Sequence, residues 1–166
     1  PPVVSAVVHG ATFRAAPLAP GSFVSVFANN LGTRNFIGAF PRTNLEDITV
    51  FFNNIPIPIS DVIATANQIN VIVPQDFPEG AVNVTVSNPR GRSQPFTAQV
   101  VRTDPGIFLV SDPSNPDRRN AAALLANTAW YVMPLTMARA YNLPGCTVAT
   151  SVCGQPVRAG DVIQLY

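Results

Sequence analysis

The chain is 166 residues long, 47% hydrophobic and 11% charged, with a formal net charge of +1. That composition is ample for a packed core and excludes a disordered chain, a membrane-spanning helix and a polybasic binder of nucleic acid or anionic lipid. Its 17 prolines and 10 glycines punctuate short runs rich in Val, Ile, Phe and Thr, the pattern of an all-β protein.

Val3-Val4 and Val7-Val8 predict an opening strand that bends at Gly10 to Phe13. Leu18-Ala19-Pro20-Gly21 is a turn, because proline presets φ and glycine accepts a positive one. A second strand follows to Ala28. Asn29 to Asn44 is polar and aperiodic and reads as a long loop, with Phe36, Ile37 and Phe40 folding back onto the body. Asp47 to Phe52 predicts a strand, and Asn53-Asn54 a two-residue turn into Ile55-Pro56-Ile57-Pro58-Ile59. Prolines cannot donate to a ladder, so this strand belongs at a sheet edge. Val62 to Ala64 and Gln68 to Val73 supply two more runs. In Ala81 to Ser87, Val82, Val84 and Val86 alternate with Asn83, Thr85 and Ser87, the period of a half-buried antiparallel strand. Asn88 to Gly91 turns the chain, and Pro95 to Arg102 closes the set. About seven or eight short strands with turns roughly every ten residues indicate a β-sandwich.

Beyond residue 103 the pattern changes. Trp130-Tyr131-Val132-Met133 is apolar and aromatic, and Leu135 to Asn142 predicts two helical turns ended by Pro144-Gly145. Cys146 and Cys153, close in sequence and flanked by Gly145 and Gly154, predict a disulfide closing a short loop in an oxidising compartment. The last eleven residues, PVRAGDVIQLY (Pro156 to Tyr166), echo PLAPGSFVSVF (Pro17 to Phe27), proline on proline and glycine on glycine. The terminal strand Asp161-Val162-Ile163-Gln164-Leu165-Tyr166 thus reads as a second copy of an earlier strand, without the domain that follows the first. Unpartnered strands pair with something: a neighbouring subunit by strand exchange, or the same chain, to whose sandwich the strand can equally return.

Chemistry-bearing motifs are sparse. His9 is the sole histidine, so no multi-histidine metal site can form, and it reads as a structural residue at a strand end. There is no G-x-S-x-G elbow, H-E-x-x-H, P-loop or dinucleotide fingerprint. Asp112, Asn115 and Asp117 place oxygen ligands on one loop, but without the length and glycine of an EF-hand. No catalytic, cofactor or metal residue is therefore assigned. All ten basic residues are arginine, which rules out a lysine nucleophile or a Lys–Asn crosslink. The pairs Arg90/Arg92 and Arg118/Arg119 read as solvated loop charges, and the Asn83-Val84-Thr85 sequon, mid-strand, as chance. The chain opens at Pro1 without an initiator methionine, which predicts a processed chain or an excised fragment.

PGSFVSVFANNLG (Pro20 to Gly32), ITVFFNNIPIPI (Ile48 to Ile59), ANQINVIVP (Ala66 to Pro74) and PEGAVNVTVSNPRGRSQPF (Pro78 to Phe96) together resemble the TIG/IPT-type immunoglobulin-like domain. The variant is the one repeated near the C-termini of secreted bacterial proteins. Pro105 to Phe108, Ala121 to Leu124 and Ala159 to Ile163 extend the likeness, and in such repeats the last of these opens the next domain. The insert between Asn127 and Gln155 departs from the pattern. The resemblance implies an Ig-like sandwich over residues 1–103, a β-rich, disulfide-bearing extension over 104–166, and a secreted or cell-surface location.

The expected function is a non-enzymatic structural or adhesive module, self-associating or joined to neighbouring Ig-like domains, with filament formation by strand exchange through residues 161–166. The alternative is a polysaccharide- or protein-binding accessory domain using a surface of Trp130, Tyr131 and Tyr141. No cofactor, nucleic acid or membrane span enters either reading.

Overall fold

The computed structural model describes every residue except Ala16, and the side chains of the rest except residues 38–41. The chain forms two compact units, Pro1–Gly106 and Ile107–Tyr166. Unit 1 runs through β1 (Val3–His9), β2 (Phe23–Asn29), β3 (Asn35–Arg42), β4 (Thr49–Phe52), β5 (Ile55–Ile57), β6 (Ile59–Ile63), a single 3-10 turn at Ala64–Ala66, β7 (Gln68–Ile72), β8 (Gly80–Asn88), β9 (Gly91–Arg92) and β10 (Phe96–Val100).

These strands make two antiparallel sheets, one ordered β1-β2-β7-β6-β3 and the other β10-β8-β4-β5 with β9 beside β8. The alternating residues explain why they stack. Val24 and Val26 on β2 and Ile69 and Val71 on β7 point from one sheet into the same apolar cluster as Val50 and Phe52 on β4 and Val82, Val84 and Val86 on β8. Phe77 meets Phe52 edge-on, with ring centroids 5.7 Å apart. Burial of such side chains, at about 1.5–3 kcal/mol each, is what holds two sheets of so few charges together.

Two local signals in the sequence have direct counterparts. Asn53 and Asn54 have φ of 48° and 68°, the paired positive values of a tight hairpin turn. The proline-bearing β5 lies at the edge of its sheet. The expected single strand from Ile55 to Ile59, however, is two: β5 pairs with β4 in one sheet, while β6 begins at Ile59 in the other. The break falls at Pro58, whose carbonyl accepts from Ile72 N. Ile57 and Ile59 on either side are both fully buried, so the chain changes sheets through the core.

The expected long loop from Asn29 to Asn44 contains β3, which pairs with β6. Its Asn, Gly and Pro content hid the strand because an edge position needs no continuous apolar face. Phe36 packs against the core as expected, whereas Ile37 is 89% exposed and Phe40 lies outside the described side chains.

Unit 2 holds the hairpin β11 (Leu109–Asp112) and β12 (Asn115–Ala121), then β13 (Ala123–Leu125), β14 (Trp130–Val132), α1 (Leu135–Ala140), β15 (Cys153–Gln155) and β16 (Ile163–Leu165). A four-stranded sheet has the order β15-β14-β13-β16. Met133, Met137 and Ala138 form its small core with Val110 and Leu143. Helix α1 stops at a left-handed Asn142 (φ 54°), and the Leu143 amide returns to the Ala138 carbonyl at 2.9 Å, a common helix ending. A Cβ on Gly154 would come within 2.9 Å of Ala138 Cβ on α1, so only glycine lets β15 approach the helix this closely. Cys146 and Cys153 are disulfide-bonded, their Cα atoms 5.3 Å apart.

Candidate functional site

The echoed segments fold alike down to single hydrogen bonds. In the first, Gly21 has φ 77°, Ser22 N donates to Ala19 O at 3.1 Å, and Ala19 N donates to Ser22 Oγ at 3.3 Å. In the second, Gly160 has φ 92°, Asp161 N donates to Arg158 O at 3.1 Å, and Arg158 N donates to Asp161 Oδ2 at 2.7 Å. Each turn launches a strand, β2 or β16. Each strand pairs antiparallel with a neighbour in one register, Val7-Val8-His9 on β1 matching Ala123-Leu124-Leu125 on β13. Even the closing bonds agree: Gly10 N to Phe23 O and Ala126 N to Val162 O are both 2.8 Å. Unit 2 therefore repeats the opening strand pair of unit 1.

The difference lies on the other side. β2 is flanked by β7 as well as β1, whereas β16 ends its sheet. Asp161–Tyr166, expected either to return to its own chain or to exchange with another subunit, pairs through Ile163, Gln164 and Leu165 with β13 of the same chain. Strand exchange is not needed to give β16 a partner, because β13 already occupies the position that β1 holds beside β2. The outer edge is another matter. Ala126 N to Val162 O and Tyr166 N to Ala122 O fix the alternation of the ladder, so the backbone groups of Ile163 and Leu165 point away from β13.

Side chains around that edge are apolar. Ala123, Val132, Leu135, Val157, Ile163 and Leu165 line a groove of about 580 Å³. Val157, Ile163 and Leu165 are each roughly half exposed, although Val24 and Val26, the counterparts of Ile163 and Leu165 on β2, are fully buried.

The aromatic trio does not make a flat row. Trp130 and Tyr131 are consecutive on β14 and so point to opposite faces. Trp130 Nε1 donates to Val148 O at 2.9 Å, tying the disulfide loop to the sheet. Tyr141 donates its hydroxyl to Ser111 O at 2.5 Å. All three keep partial exposure.

Asp112 folds into its own turn. Its Oδ1 accepts from Ser114 N at 2.9 Å and from Ser114 Oγ at 2.5 Å, and the Ser114 hydroxyl bond is the main cause holding its carboxyl below the ordinary value of 3.8. Asn115 Oδ1 accepts from Asp117 N at 3.2 Å. One oxygen of Asp112 and the carboxamide oxygen of Asn115 are thus used within the hairpin, while Asp112 Oδ2 is buried without a hydrogen-bond partner among the described residues. Among the described residues no three His, Cys, Asp or Glu side chains cluster as metal ligands, and no helix is long and apolar enough to cross a membrane.

His9 is buried and bonded at both nitrogens. Nε2 lies 3.1 Å from Asp104 O and Nδ1 accepts from Ala11 N at 3.1 Å. The carbonyl can only accept, so the proton sits on Nε2. Arg14 adds an ion pair to Asp104 at 3.7 Å. This clasp holds residues 104–106 to β1, and unit 1 accordingly runs to Gly106.

Arg92, expected as a solvated loop charge, is anchored on the outer face of the sheet. Its guanidinium carbon stands 4.2 Å from the centroid of the Phe51 ring, and Nε donates to Thr85 Oγ1 at 2.8 Å. Phe51 and Thr85 are cross-strand partners, a pairing that β4 and β8 register alone determines and that sequence spacing does not reveal.

No family model, curated protein or solved structure matches the chain.

Proposed function

We propose that this chain is a non-catalytic, extracellular structural or adhesive module: an Ig-like sandwich of the TIG/IPT type with an extension that associates edge to edge through β16. The observation that carries the reading is the open edge of β16, where a strand built like β2 lacks the second neighbour that β7 gives β2. Exposed Ile163 and Leu165 beside outward-facing amides form a surface on which another strand gains both a ladder and apolar burial. The disulfide supports an oxidising compartment. A structural rather than catalytic role is supported by His9, the sole histidine, being committed at both nitrogens to backbone groups.

Hydrogen exchange tests the edge directly. The Ile163 and Leu165 amides exchange rapidly in dilute protein and become protected as concentration rises, while Gln164 stays protected throughout. Concentration-independent exchange at Ile163 and Leu165 contradicts the proposal.

A further inference from the structure

On unit 1 a polar groove of about 380 Å³ opens on the outer face of the second sheet, lined by Asn53, Asn54, Asn83, Thr85, Arg92 and Ser93 with Pro95. The elements that build it are rigid ones. Asn53 and Asn54 occupy the tight β4–β5 turn, locked to β8 by Asn53 N to Asn83 O at 3.0 Å and Asn83 N to Asn53 Oδ1 at 2.8 Å. Asn83 and Thr85 alternate outward from the buried valines of β8.

Arg92 is pre-organised across this face. Besides the Phe51 ring and Thr85, its Nη2 donates to Asn54 Oδ1 at 2.8 Å. Two of its five N–H groups are used in this way and three are left over. The ion pair recorded among the described residues is Arg14 with Asp104, so no described carboxylate neutralises Arg92. The carboxamide nitrogens of Asn53, Asn54 and Asn83 likewise have no partner among the described residues. The groove therefore offers a fixed cation and a surplus of donors, and its complement is an anion rich in acceptor oxygens. A planar carboxylate matches the guanidinium fork.

We infer that this groove binds a carboxylate-bearing saccharide, with the uronate carboxylate on Arg92 and ring or hydroxyl oxygens on the Asn53, Asn54 and Asn83 carboxamides. A saccharide fits better than an acidic peptide on two grounds. The groove lies on a sheet face, where strand addition has no backbone groups to meet, and its walls are polar with no apolar pocket for a peptide side chain. The inference stands independently of association through β16, because the groove's residues belong to unit 1 and β16 to unit 2.

Titrating the full chain with tetragalacturonate and following backbone amide signals tests it. Saturable shifts are expected at residues 53, 54, 83, 85 and 92, weakening with added salt. The fully methyl-esterified tetramer, which keeps the hydroxyls and loses the charge, is expected to bind about tenfold more weakly or worse, as is Arg92→Gln with tetragalacturonate. The ester comparison uses the unaltered chain and so stands even where Arg92→Gln fails to fold. The inference is overturned by absence of saturable shifts at these residues, by equal binding of the ester, by undiminished binding in a folded Arg92→Gln, or by tetraglutamate binding as tightly as the sugar acid.

Discussion

Gly106 shows how a single missing side chain sets the end of unit 1. A Cβ there would stand 2.3 Å from His9 Cε1, and the imidazole cannot retreat while Asp104 O and Ala11 N hold its two nitrogens. Gly106→Ala is expected to destabilise unit 1 by about 1–3 kcal/mol, read as a lower denaturant midpoint; an unchanged midpoint shows that the clasp is loose. Asp112 makes a second prediction, in pH. Its folded pKa is depressed below 3.8 by the Ser114 bonds, so its stabilising contribution is present above the unfolded value and lost as pH falls through the folded one. The melting temperature of the native chain should therefore exceed that of Asp112→Asn at pH 7, and the gap should close as pH drops below about 3.8. A gap that is constant with pH removes the charged turn from the account.

Among the elements, the disulfide loop is the clearest test of what steadies unit 2, whose apolar cluster is small, Met133, Met137 and Ala138 with two partly buried neighbours. Closing so short a loop stabilises by about 2–3 kcal/mol. Reduction should lower the unfolding transition of unit 2 and leave that of unit 1 in place, seen as separation of two calorimetric peaks. A shift of the whole profile together means that the units do not melt separately.

The elements that were legible in the sequence are those with an internal period or a fixed φ. Val82, Val84 and Val86 alternate because one face of β8 is core, Asn53-Asn54 accepts the positive φ of a hairpin, and Pro56 of β5 marks an edge. The hidden elements lack both signals. Among the described side chains of β3, Phe36 is the one packed on the core, and β12, Asn-Pro-Asp-Arg-Arg-Asn-Ala, is exposed over its first five residues, so Asp112 to Asp117 reads as loop. The division of Ile55 to Ile59 between two sheets depends on where Pro58 sits between partners far apart in sequence. The same holds for the Arg92 groove, whose residues come from the β4–β5 turn, strands β8 and β9 and the link after β9, while the echo at 156–166 was plain because its glycine and turn repeat residue by residue.

At the scale of the whole molecule, the repeated strand pair joins these observations. Unit 1 completes β2 on both sides and buries its valines. Unit 2 reproduces the same turn, register and closing bond, and β16 lies at the edge of its sheet with Ile163 and Leu165 exposed. Leu165→Pro is the sharpest probe of that edge. Its N–H points outward, so proline removes an edge donor and leaves the Gln164–Leu124 ladder intact. Sedimentation velocity over a concentration series, native chain beside Leu165→Pro, measures the consequence. The account predicts concentration-dependent association of the native chain and its loss in a folded Leu165→Pro with the disulfide still formed. A native chain that stays monomeric at millimolar concentration, or a proline variant that associates equally well, contradicts it.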